Sequence, residues 1–511
     1  MNPVFDLTNL RNARWIGLAL FIITILSRLP FQSQYLYHWD SVNMAFGILQ
    51  FDVPNGAPQY PGYIVYIVIA QVTNLLFNDP QRTMVFISVL SSGLAASTIF
   101  YLGREMFNQI TGIIAALFLA ASPLFWFYSE IALPHTFDLF FITLCAWLLY
   151  KIMIGQTRWL WWTTILLALL GGFRQQDLIF MAPITILACY RVGVGRIVGA
   201  LILGALITLA WIIPLMAYSG GIRGYLDGSA AYTASFFTTT SIFSGAGEFG
   251  LRRNILNKLI PYTLYGWSLA AVAALFWLPL LPRQFIAWLT NRKFWFLALW
   301  LAPAVIFYAI VHMGQQGLVF VFLPALILIS ARGLYRLFSG RPALLQASTA
   351  LVVLVGIIVF IFIPTYPLGK NSFKILTYST LREHDQLISN QISAVRENFK
   401  PGDTVLLAAS WRFSQYYLPE YTFLRFNVGS KFEVDAGQAK GGDFENQPVN
   451  AVDLGLAAAQ SWQIVVMDGE MLEFSSNPLQ QITLPNGYVL NYLPMKADDR
   501  YYTDGTTFGI E

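Results

Sequence analysis

The chain has 511 residues, of which 56% are hydrophobic, 16% aromatic and only 11% charged. Soluble domains carry about 25% charged residues, so this composition indicates an integral membrane protein and excludes one large aqueous core. The net charge of +4 is small and its basic residues are scattered among short loops, which argues against nucleic acid as a partner.

Twelve apolar segments of near-spanning length follow one another and predict an all-α polytopic membrane domain. The first, residues 14–31, follows Arg11 and Arg14 and lacks a small-residue cleavage site, so we interpret it as a signal anchor with a cytoplasmic N-terminus. Segments 159–172 and 177–190 have about 14 residues, fewer than the roughly 17 that cross a bilayer, and either extend or form a hairpin. The others lie at about 60–77, 83–102, 110–125, 134–153, 197–217, 261–280, 294–311, 317–338 and 345–365.

The distribution of Lys and Arg indicates that residues 60–77 do not cross the membrane. Alternate loops after residue 82 hold most bases, whereas the intervening short loops hold only Arg174. The positive-inside rule agrees with a cytoplasmic N-terminus only if residues 60–77 lie along the outer face. About eleven transmembrane helices then remain, and residues 32–82 form one external loop. The other external connections are residues 123–134, 171–177, 218–260 and 312–317.

The polar C-terminal part, residues 366–511, is predicted to be an external soluble α/β domain attached to a membrane domain of residues 1–365. The segment TLREHDQLISNQISAVRENF is helix-like, DTVLLAA and WQIVVMD are strand-like, and ITLPNGYVLNYL suggests a hairpin. Cys145 and Cys189 both fall inside apolar segments, so no disulfide is expected in this domain.

Polar residues with possible chemistry gather in the predicted external connections. The spans hold few ionisable residues, whereas ion-coupled transporters bury such groups near the bilayer midplane. The external set comprises His38, Asp40, Asp52, Glu130, His135, Arg174, Gln175, Gln176, Asp177, His312, Gln315 and Gln316.

Each of these residues also has a purely structural interpretation. Asp40 begins DSVNMAFGIL and either caps a helix or acts in catalysis, and Asp52 before VPNG suits a turn. Glu130 and His135 suit polar positions at the membrane interface. Arg174 either snorkels to the headgroups or binds an anion, and HMGQQG at 312–317 suits a polar turn.

The order of these features resembles a known family. A signal anchor, a long external loop with an early acid, a PGY turn opening an apolar helix, Arg82 before the next span and an acid in the second loop are similar to membrane glycosyltransferases of the GT-C architecture. The resemblance is closest to the polyprenyl-phosphate-sugar users grouped with protein O-mannosyltransferases and the aminoarabinose transferase of lipid A. It covers roughly residues 10–340.

The resemblance implies transfer of a sugar from a polyprenyl-phosphate donor to a glycan, lipid or protein hydroxyl at the external face of a multi-pass membrane protein, the cell membrane in a prokaryote. The implied outcome is inversion. The roles assigned are catalysis for Asp40 and Glu130, donor phosphate binding for Arg174, Gln175 and Gln316, and substrate binding for His38, Asp52, Tyr63, His135 and His312.

A divalent metal ion is a further possibility that the sequence leaves open. Where related enzymes pair two acids in the first loop, Ser41 follows Asp40, and where they often place His before the Pro-Gly turn, this chain reads Gln59-Tyr60. Two other classes also stay open: a transporter or lipid-sugar flippase, and a non-catalytic scaffold displaying the C-terminal domain.

Overall fold

A computed structural model describes residues 10–275, 289–367, 374–408, 411–424, 462–467, 477–495, 500–503 and 506–509. The end of the predicted span 261–280 and the tail residues 425–461 lie outside these ranges.

Two shorter helices lie between the first two long ones, inside the predicted external loop. The third helix, α3, has 14 residues, which span about 21 Å against a hydrocarbon core of about 30 Å. Its Leu75 and Leu76 are 83% and 78% exposed. Its length and its exposed apolar side chains favour a helix lying along the membrane over one that pierces it. The elements are α1 Leu10–Arg28, α2 Trp39–Leu49, α3 Ile64–Phe77 and α4 Pro80–Met106, with 3-10 turns at Leu29–Phe31 and Val53–Asn55.

The predicted apolar segment 110–125 is not one straight helix, because the structure divides it into α5 Gln109–Ala120 and α6 Pro123–Ser129, bent by 64°. Pro123 disfavours helical backbone at the residue before it, and Ser122 is extended with ψ of 121°. Ser122 Oγ instead donates to the carbonyl of Gly266 at 2.6 Å. The bend brings α6 against the predicted external loop, where Phe127 packs on Tyr37.

The middle of the chain is helical, including much of the predicted connection 218–260. This predicted connection contains helices along most of its length. The elements are α7 His135–Met153, α8 Leu160–Phe173, α9 Gln175–Cys189, α10 Val194–Tyr218, α11 Gly221–Thr240, α12 Gly247–Arg252, a π-helical turn Arg253–Leu259, α13 Ile260–Trp267 and α14 Ala270–Leu275, with a 3-10 turn at Thr157–Trp159.

The predicted segment 317–338 begins as a 3-10 turn, and its α-helix starts only at Leu323. Pro324 occupies the first turn of that helix, where its missing N–H costs nothing. The elements are α15 Arg292–Ile310, the 3-10 turn Gln316–Val321, α16 Leu323–Phe338 and α17 Pro342–Phe362.

Six helices of the described residues are long and apolar enough to cross a membrane, and the bent α5–α6 pair would make a seventh. They include α4, α7, α10, α15 and α17, together with the segment Asn12–Phe31. The apolar helices α3 and α9 are shorter. The count of about eleven spans therefore stays a prediction.

The long helices pack tightly where small residues face each other. A Cβ added to Gly103 on α4 would lie 2.9 Å from the Cα of Gly112 on α5, and one on Gly112 would lie 2.4 Å from the carbonyl oxygen of Phe100. Small residues at such crossings let two backbones approach and increase their van der Waals contact. This packing holds α5 against α4 and sets the position of the bend that follows.

The C-terminal part forms a five-stranded mixed sheet with helices against it, and the predicted helix, two strands and hairpin are confirmed. The strand order is β4-β3-β5-β7-β6; β3 runs parallel to β4 and β5, and β7 runs antiparallel to β5 and β6. The elements are β1 Tyr366–Pro367, β2 Lys374–Ile375, α18 Tyr378–Asn398, β3 Thr404–Leu407, α19 Trp411–Tyr417, β4 Thr422–Leu424, β5 Gln463–Val466, β6 Gln480–Thr483, β7 Val489–Pro494 and the β8 Arg500–Thr503 and β9 Thr506–Gly509 pair, with a 3-10 turn at Pro401–Asp403.

Candidate active site

Asp40 lies in the first turn of α2, in the predicted external loop. The N-cap of α2 is His38, whose backbone is extended. Its Nδ1 accepts a hydrogen bond from the Asp40 N–H at 3.1 Å. The prediction that Asp40 itself caps the helix is therefore wrong, because a histidine two residues earlier does so. The carboxylate sits at the positive end of the helix dipole.

Gln315 connects Asp40 to His135 on α7. Its Nε2 donates to Asp40 Oδ2, and its Oε1 lies 2.8 Å from His135 Nε2. Because a carbonyl oxygen only accepts, His135 must donate from Nε2, which leaves Nδ1 unprotonated. His38 Nδ1 is 3.8 Å from Asp40 Oδ2, and its side chain is 39% exposed against 26% for Asp40. The set opens toward solvent at His38 and Asp40.

His135 is buried and fits tightly between Tyr128 and the 3-10 turn after Gln315. The Tyr128 ring meets the imidazole edge-to-face at 5.1 Å. A Cβ on Gly317 would lie 2.6 Å from His135 Cγ, so only glycine fits there without movement. This packing fixes the ring that orients Gln315.

Arg174, between α8 and α9, makes a buried ion pair with Asp138 of α7. Its Nη1 is 3.0 Å from Asp138 Oδ2, and the two side chains are 7% and 2% exposed. The guanidinium also lies 5.9 Å from the ring centre of Tyr63, at the start of α3. Asp138 follows His135 by three residues, so both project from the same face of α7.

Asp177, in the first turn of α9, lies beside this ion pair and interacts electrostatically with both of its members. It is fully buried, and its carboxyl group makes a side-chain hydrogen bond with that of Asp138, which requires one of the two acids to be protonated. Sequence reasoning placed Asp177 in a polar turn and did not assign Asp138 at all. The available signal was an acid in the apolar segment HTFDLFF, since a buried acid in a membrane helix requires a partner.

Glu130 is not brought to Asp40. It is fully buried, and its charged neighbour is Arg28 of α1, whose guanidinium lies 4.2 Å from the Trp126 ring centre. Its backbone carbonyl accepts from the N–H of Ser33 at 3.0 Å. The Glu130 carbonyl thus holds Ser33, at the start of the predicted external loop.

Three other assigned residues have defined structural partners. Asp52 makes the predicted turn, because its Oδ2 accepts from Asn55 Nδ2 at 2.8 Å. Gln175 Nε2 donates to the Tyr225 hydroxyl at 2.7 Å. Gln316 Nε2 donates to the carbonyl of Lys374 at 2.9 Å, so it faces the C-terminal part.

The C-terminal part covers the loop that carries Asp40. The carboxylate of Asp385 on α18 accepts from Ser33 Oγ at 2.9 Å, from Gln34 N at 2.8 Å and from Tyr35 N at 3.2 Å. The Tyr417 hydroxyl accepts from the N–H of Leu36 at 2.7 Å. These contacts fix residues 33–36, immediately before the helix of Asp40.

His384, next to Asp385, reaches the same region. Its ring lies 4.9 Å from that of Tyr37. Burial, and then repulsion from His38, lowers the pKa of His384 to about 4. The imidazole is therefore neutral at physiological pH, and the C-terminal part contributes an uncharged wall close to His38.

The fifth predicted loop supplies His312 as well as Gln315. His312 Nδ1 lies 3.1 Å from Thr240 Oγ1 at the end of α11. Burial, and then the nearby charges of Arg253 and Lys258, lowers the pKa of His312 to about 3. Its neutral ring lies away from Asp40 toward these two bases.

The described residues contain no group of three or more His, Cys, Asp and Glu side chains placed to share a metal ion. The set at Asp40 provides one carboxylate, a half-exposed histidine and a glutamine, which does not fit a divalent site. We therefore derive no step through a metal.

One family model matches part of the chain, and solved structures share its fold. Residues 61–218 match the sequence model of the family described as dolichyl-phosphate-mannose-protein mannosyltransferase. This range includes Tyr63, Glu130, His135, Arg174 and Gln175. No curated protein sequence matches the chain.

Solved structures share the fold over almost the whole chain. ArnT from Cupriavidus metallidurans bound to undecaprenyl phosphate has a TM-score of 0.58 at 11% identity, covering 95% of this chain and 98% of that one. Its apo state has a TM-score of 0.56 at 11% identity, covering 93% and 97%. The apo oligosaccharyltransferase of Archaeoglobus fulgidus is less similar, with a TM-score of 0.48, 11% identity and coverages of 96% and 76%.

Proposed function

We propose that this chain, which has the GT-C fold of ArnT and is related to the protein mannosyltransferases, is a membrane glycosyltransferase that uses a polyprenyl-phosphate sugar. The sugar passes to an acceptor hydroxyl at the external membrane face, with inversion at the anomeric carbon. The observation that carries this proposal is the arrangement of Asp40, a partly exposed carboxylate that accepts a hydrogen bond from Gln315 and lies near a helix with exposed apolar side chains.

In this proposal Asp40 acts as the general base. Both contacts of its carboxylate within the described chain, to Gln315 and to His38, use Oδ2. Oδ1 is therefore available to accept the proton of the acceptor hydroxyl as the oxygen attacks the anomeric carbon. The new C–O bond forms as the bond to phosphate breaks, and polyprenyl phosphate leaves with the electron pair. Attack opposite to the leaving group inverts the anomeric carbon.

The helix α3 suits a donor that stays in the bilayer. Moving a polyprenyl tail into water costs about 0.8 kcal/mol for each CH₂, so the sugar must be presented at the headgroup level. The exposed apolar residues of α3, among them Val68, Val72 and Leu75, give the tail a surface to lie against. Tyr63 at the start of this helix lies between the lipid face and Arg174.

The predicted phosphate ligands already have partners. Arg174 pairs with Asp138, Gln175 donates to Tyr225 and Gln316 donates to the backbone of Lys374. Direct phosphate binding by any of them requires exchange of that partner. We therefore propose that the main role of Arg174 is structural: it holds α7, and with it His135, in position.

Glu130 is proposed to support the loop instead of meeting the acceptor. Its side chain is buried beside Arg28, and its carbonyl holds Ser33. The other residues assigned to substrate binding lie in different predicted loops: His38 and Asp52 in the first, and His312 in the fifth. Of these, His38 contacts the proposed base.

The test is sugar transfer by purified full-length protein supplied with a panel of polyprenyl-phosphate sugars, followed by mass spectrometry of the products. Asp40→Asn removes the proton acceptor while keeping the shape, so we expect turnover to fall by at least 100-fold with donor binding unchanged. Asp52→Asn is the matched control, because asparagine also makes the turn. Equal turnover in the Asp40 variant would eliminate the proposed base.

A transporter or lipid-sugar flippase is the second candidate, favoured by the buried group of Asp138, Arg174 and Asp177 between α7 and α9. Such groups mark transport pathways in membrane proteins. Uptake of a labelled lipid-linked sugar into sealed vesicles, without a new covalent product, would support transport. A glycosylated product made in detergent supports the enzyme.

A further inference from the structure

Two basic residues of the π-helical turn point at the loop that carries Gln315. Arg253 Nη1 lies 3.5 Å from the carbonyl oxygen of Met313, and Lys258 Nζ donates to the carbonyl of Gly314 at 3.0 Å. Both side chains are largely buried by their surroundings but keep some solvent exposure. They converge on one short stretch of backbone.

The buried Asn254 makes this arrangement rigid. Its Nδ2 donates to the carbonyl of Thr240 at 2.9 Å, and its Oδ1 accepts from Arg253 Nη1 at 3.1 Å and from Met313 N at 3.4 Å. The amide therefore ties the guanidinium, the end of α11 and the loop together. A rigid set of donors binds a ligand without first being ordered.

These two cations lack the acidic partner that other buried bases of the helical part have. Arg28 has Glu130, Lys151 has Glu105 at 3.3 Å, and Arg174 has Asp138 at 3.0 Å.

Within the described residues, neither Arg253 nor Lys258 forms an ion pair with a carboxylate, and they interact electrostatically with each other, with Tyr262 and with His312. Burial, and then repulsion from Arg253, lowers the pKa of Lys258 to about 7. Two partly buried like charges held together are costly unless an anion joins them.

The position of this pair relative to Asp40 fits a single displacement. Gly314 accepts from Lys258, and the next residue, Gln315, donates to Asp40. The cations and the base thus contact consecutive residues of one loop, Met313 to Gln315. A displacement requires the base beside the attacking hydroxyl and the cations beside the leaving phosphate, with the sugar ring between them.

We propose that Arg253 and Lys258 bind the phosphate of the lipid-linked donor and stabilise the charge that gathers on it as the sugar leaves. The assignment rests on the proposed function for its ligand. Paired charge-assisted hydrogen bonds from a guanidinium suit a phosphate, and a partly dry site strengthens them. The neighbouring Leu256 and Ile260 are exposed and apolar, which suits the first units of a polyprenyl chain.

The experiment measures binding separately from transfer. Full-length protein in detergent is titrated with undecaprenyl phosphate and the complex is quantified by native mass spectrometry. We expect Arg253→Gln and Lys258→Met each to weaken binding at least tenfold. The matched control is Arg252→Gln, an exposed arginine at the adjacent position, which we expect to bind like the wild type.

Two further arms identify the source of the phosphate and guard against misfolding. Inorganic phosphate should displace undecaprenyl phosphate at high concentration, and phosphatidylglycerol should bind at least tenfold more weakly than undecaprenyl phosphate. Arg253→Lys keeps the charge and should recover most of the affinity lost in Arg253→Gln. Every variant is checked for the wild-type elution volume and melting temperature.

The assignment is overturned if both charge-removing variants bind like the wild type, if Arg174→Gln alone abolishes binding, or if phosphatidylglycerol binds equally well. The Asp40→Asn protein should bind undecaprenyl phosphate normally. If binding depends on Arg253 and Lys258 but no donor is ever consumed, the phosphate site stands and the proposed transfer reaction fails.

Discussion

Removal of the Asp385 carboxylate should loosen the loop that carries the proposed base. Asp385 accepts hydrogen bonds from Ser33 Oγ, Gln34 N and Tyr35 N, at 2.9, 2.8 and 3.2 Å. In Asp385→Ala the N–H groups of Gln34 and Tyr35 lose this acceptor, and Ser33 Oγ keeps only the Tyr35 carbonyl at 2.6 Å. The Tyr417 hydroxyl and the Tyr37–His384 ring contact still join the loop to the C-terminal part.

The size of the effect follows from these three contacts. A hydrogen bond to a charged group contributes about 1.5–3 kcal/mol. Asp385 is only partly buried and the Gln34 contact is exposed, so water replaces part of what is lost. We expect the docked state to lose about 2–4 kcal/mol, which raises the undocked population by roughly 30- to 1,000-fold.

Hydrogen–deuterium exchange with mass spectrometry measures this opening directly. Peptides covering residues 32–40 should exchange faster by a factor in that range, while peptides from α4 stay unchanged. Glu383→Ala is the matched control, because the hydrogen bond that Glu383 accepts among the described residues comes from Ser379 of its own helix. Asp385→Asn keeps one acceptor oxygen and should give an intermediate rate.

Turnover should fall together with docking, because Asp40 lies in the first turn after this loop. Unchanged exchange of residues 32–40 in Asp385→Ala would refute the argument that the C-terminal part fixes the loop. Faster exchange with unchanged turnover would instead separate the loop contact from catalysis.

Two further predictions concern charges that the structure buries. Asp138→Asn should lower the free energy of unfolding by about 1–3 kcal/mol in a thermal or denaturant assay, which is less than the loss of an isolated buried pair because Asp177 still faces Arg174. Asp177→Asn should leave the free energy of unfolding nearly unchanged or raise it, and equal losses in the two variants would contradict the pairing of Arg174 with Asp138. Binding of a polyprenyl-phosphate sugar should weaken from pH 6 to pH 8.5, because Lys258 has a pKa of about 7 and loses its proton across that range, while His312 stays neutral. Binding to Lys258→Met should depend less on pH, and the same pH dependence in the variant and the wild type would refute the assignment.

The parts of the fold that sequence predicts are those with a regular apolar pattern. The strands around Val405 and Ile464 and the hairpin at Asn486 have alternating or continuous apolar residues with turn residues between them. The apolar run across Pro123 shows no such signal of its bend, because hydropathy does not register the backbone restriction before proline. The helix α11 was missed because its mixed composition resembles a loop.

The candidate site divides in the same way. Asp40, His135 and Arg174 were identifiable because acids and bases are rare in this chain and fall between apolar segments. Asp138 lay hidden inside a segment predicted to span. The pair Arg253 and Lys258 had no local signal, because their significance comes from the carbonyls of the loop near residue 313, about 60 positions away in sequence.

The fastening of residues 33–35 by Asp385 also has a consequence for biosynthesis. The ribosome completes the donors of these hydrogen bonds about 350 residues before their acceptor exists. Until Asp385 has been synthesised, the segment before the helix of Asp40 lacks this acceptor. If Asp40 is the proposed base, its loop can be fixed only after about three-quarters of the chain has been made.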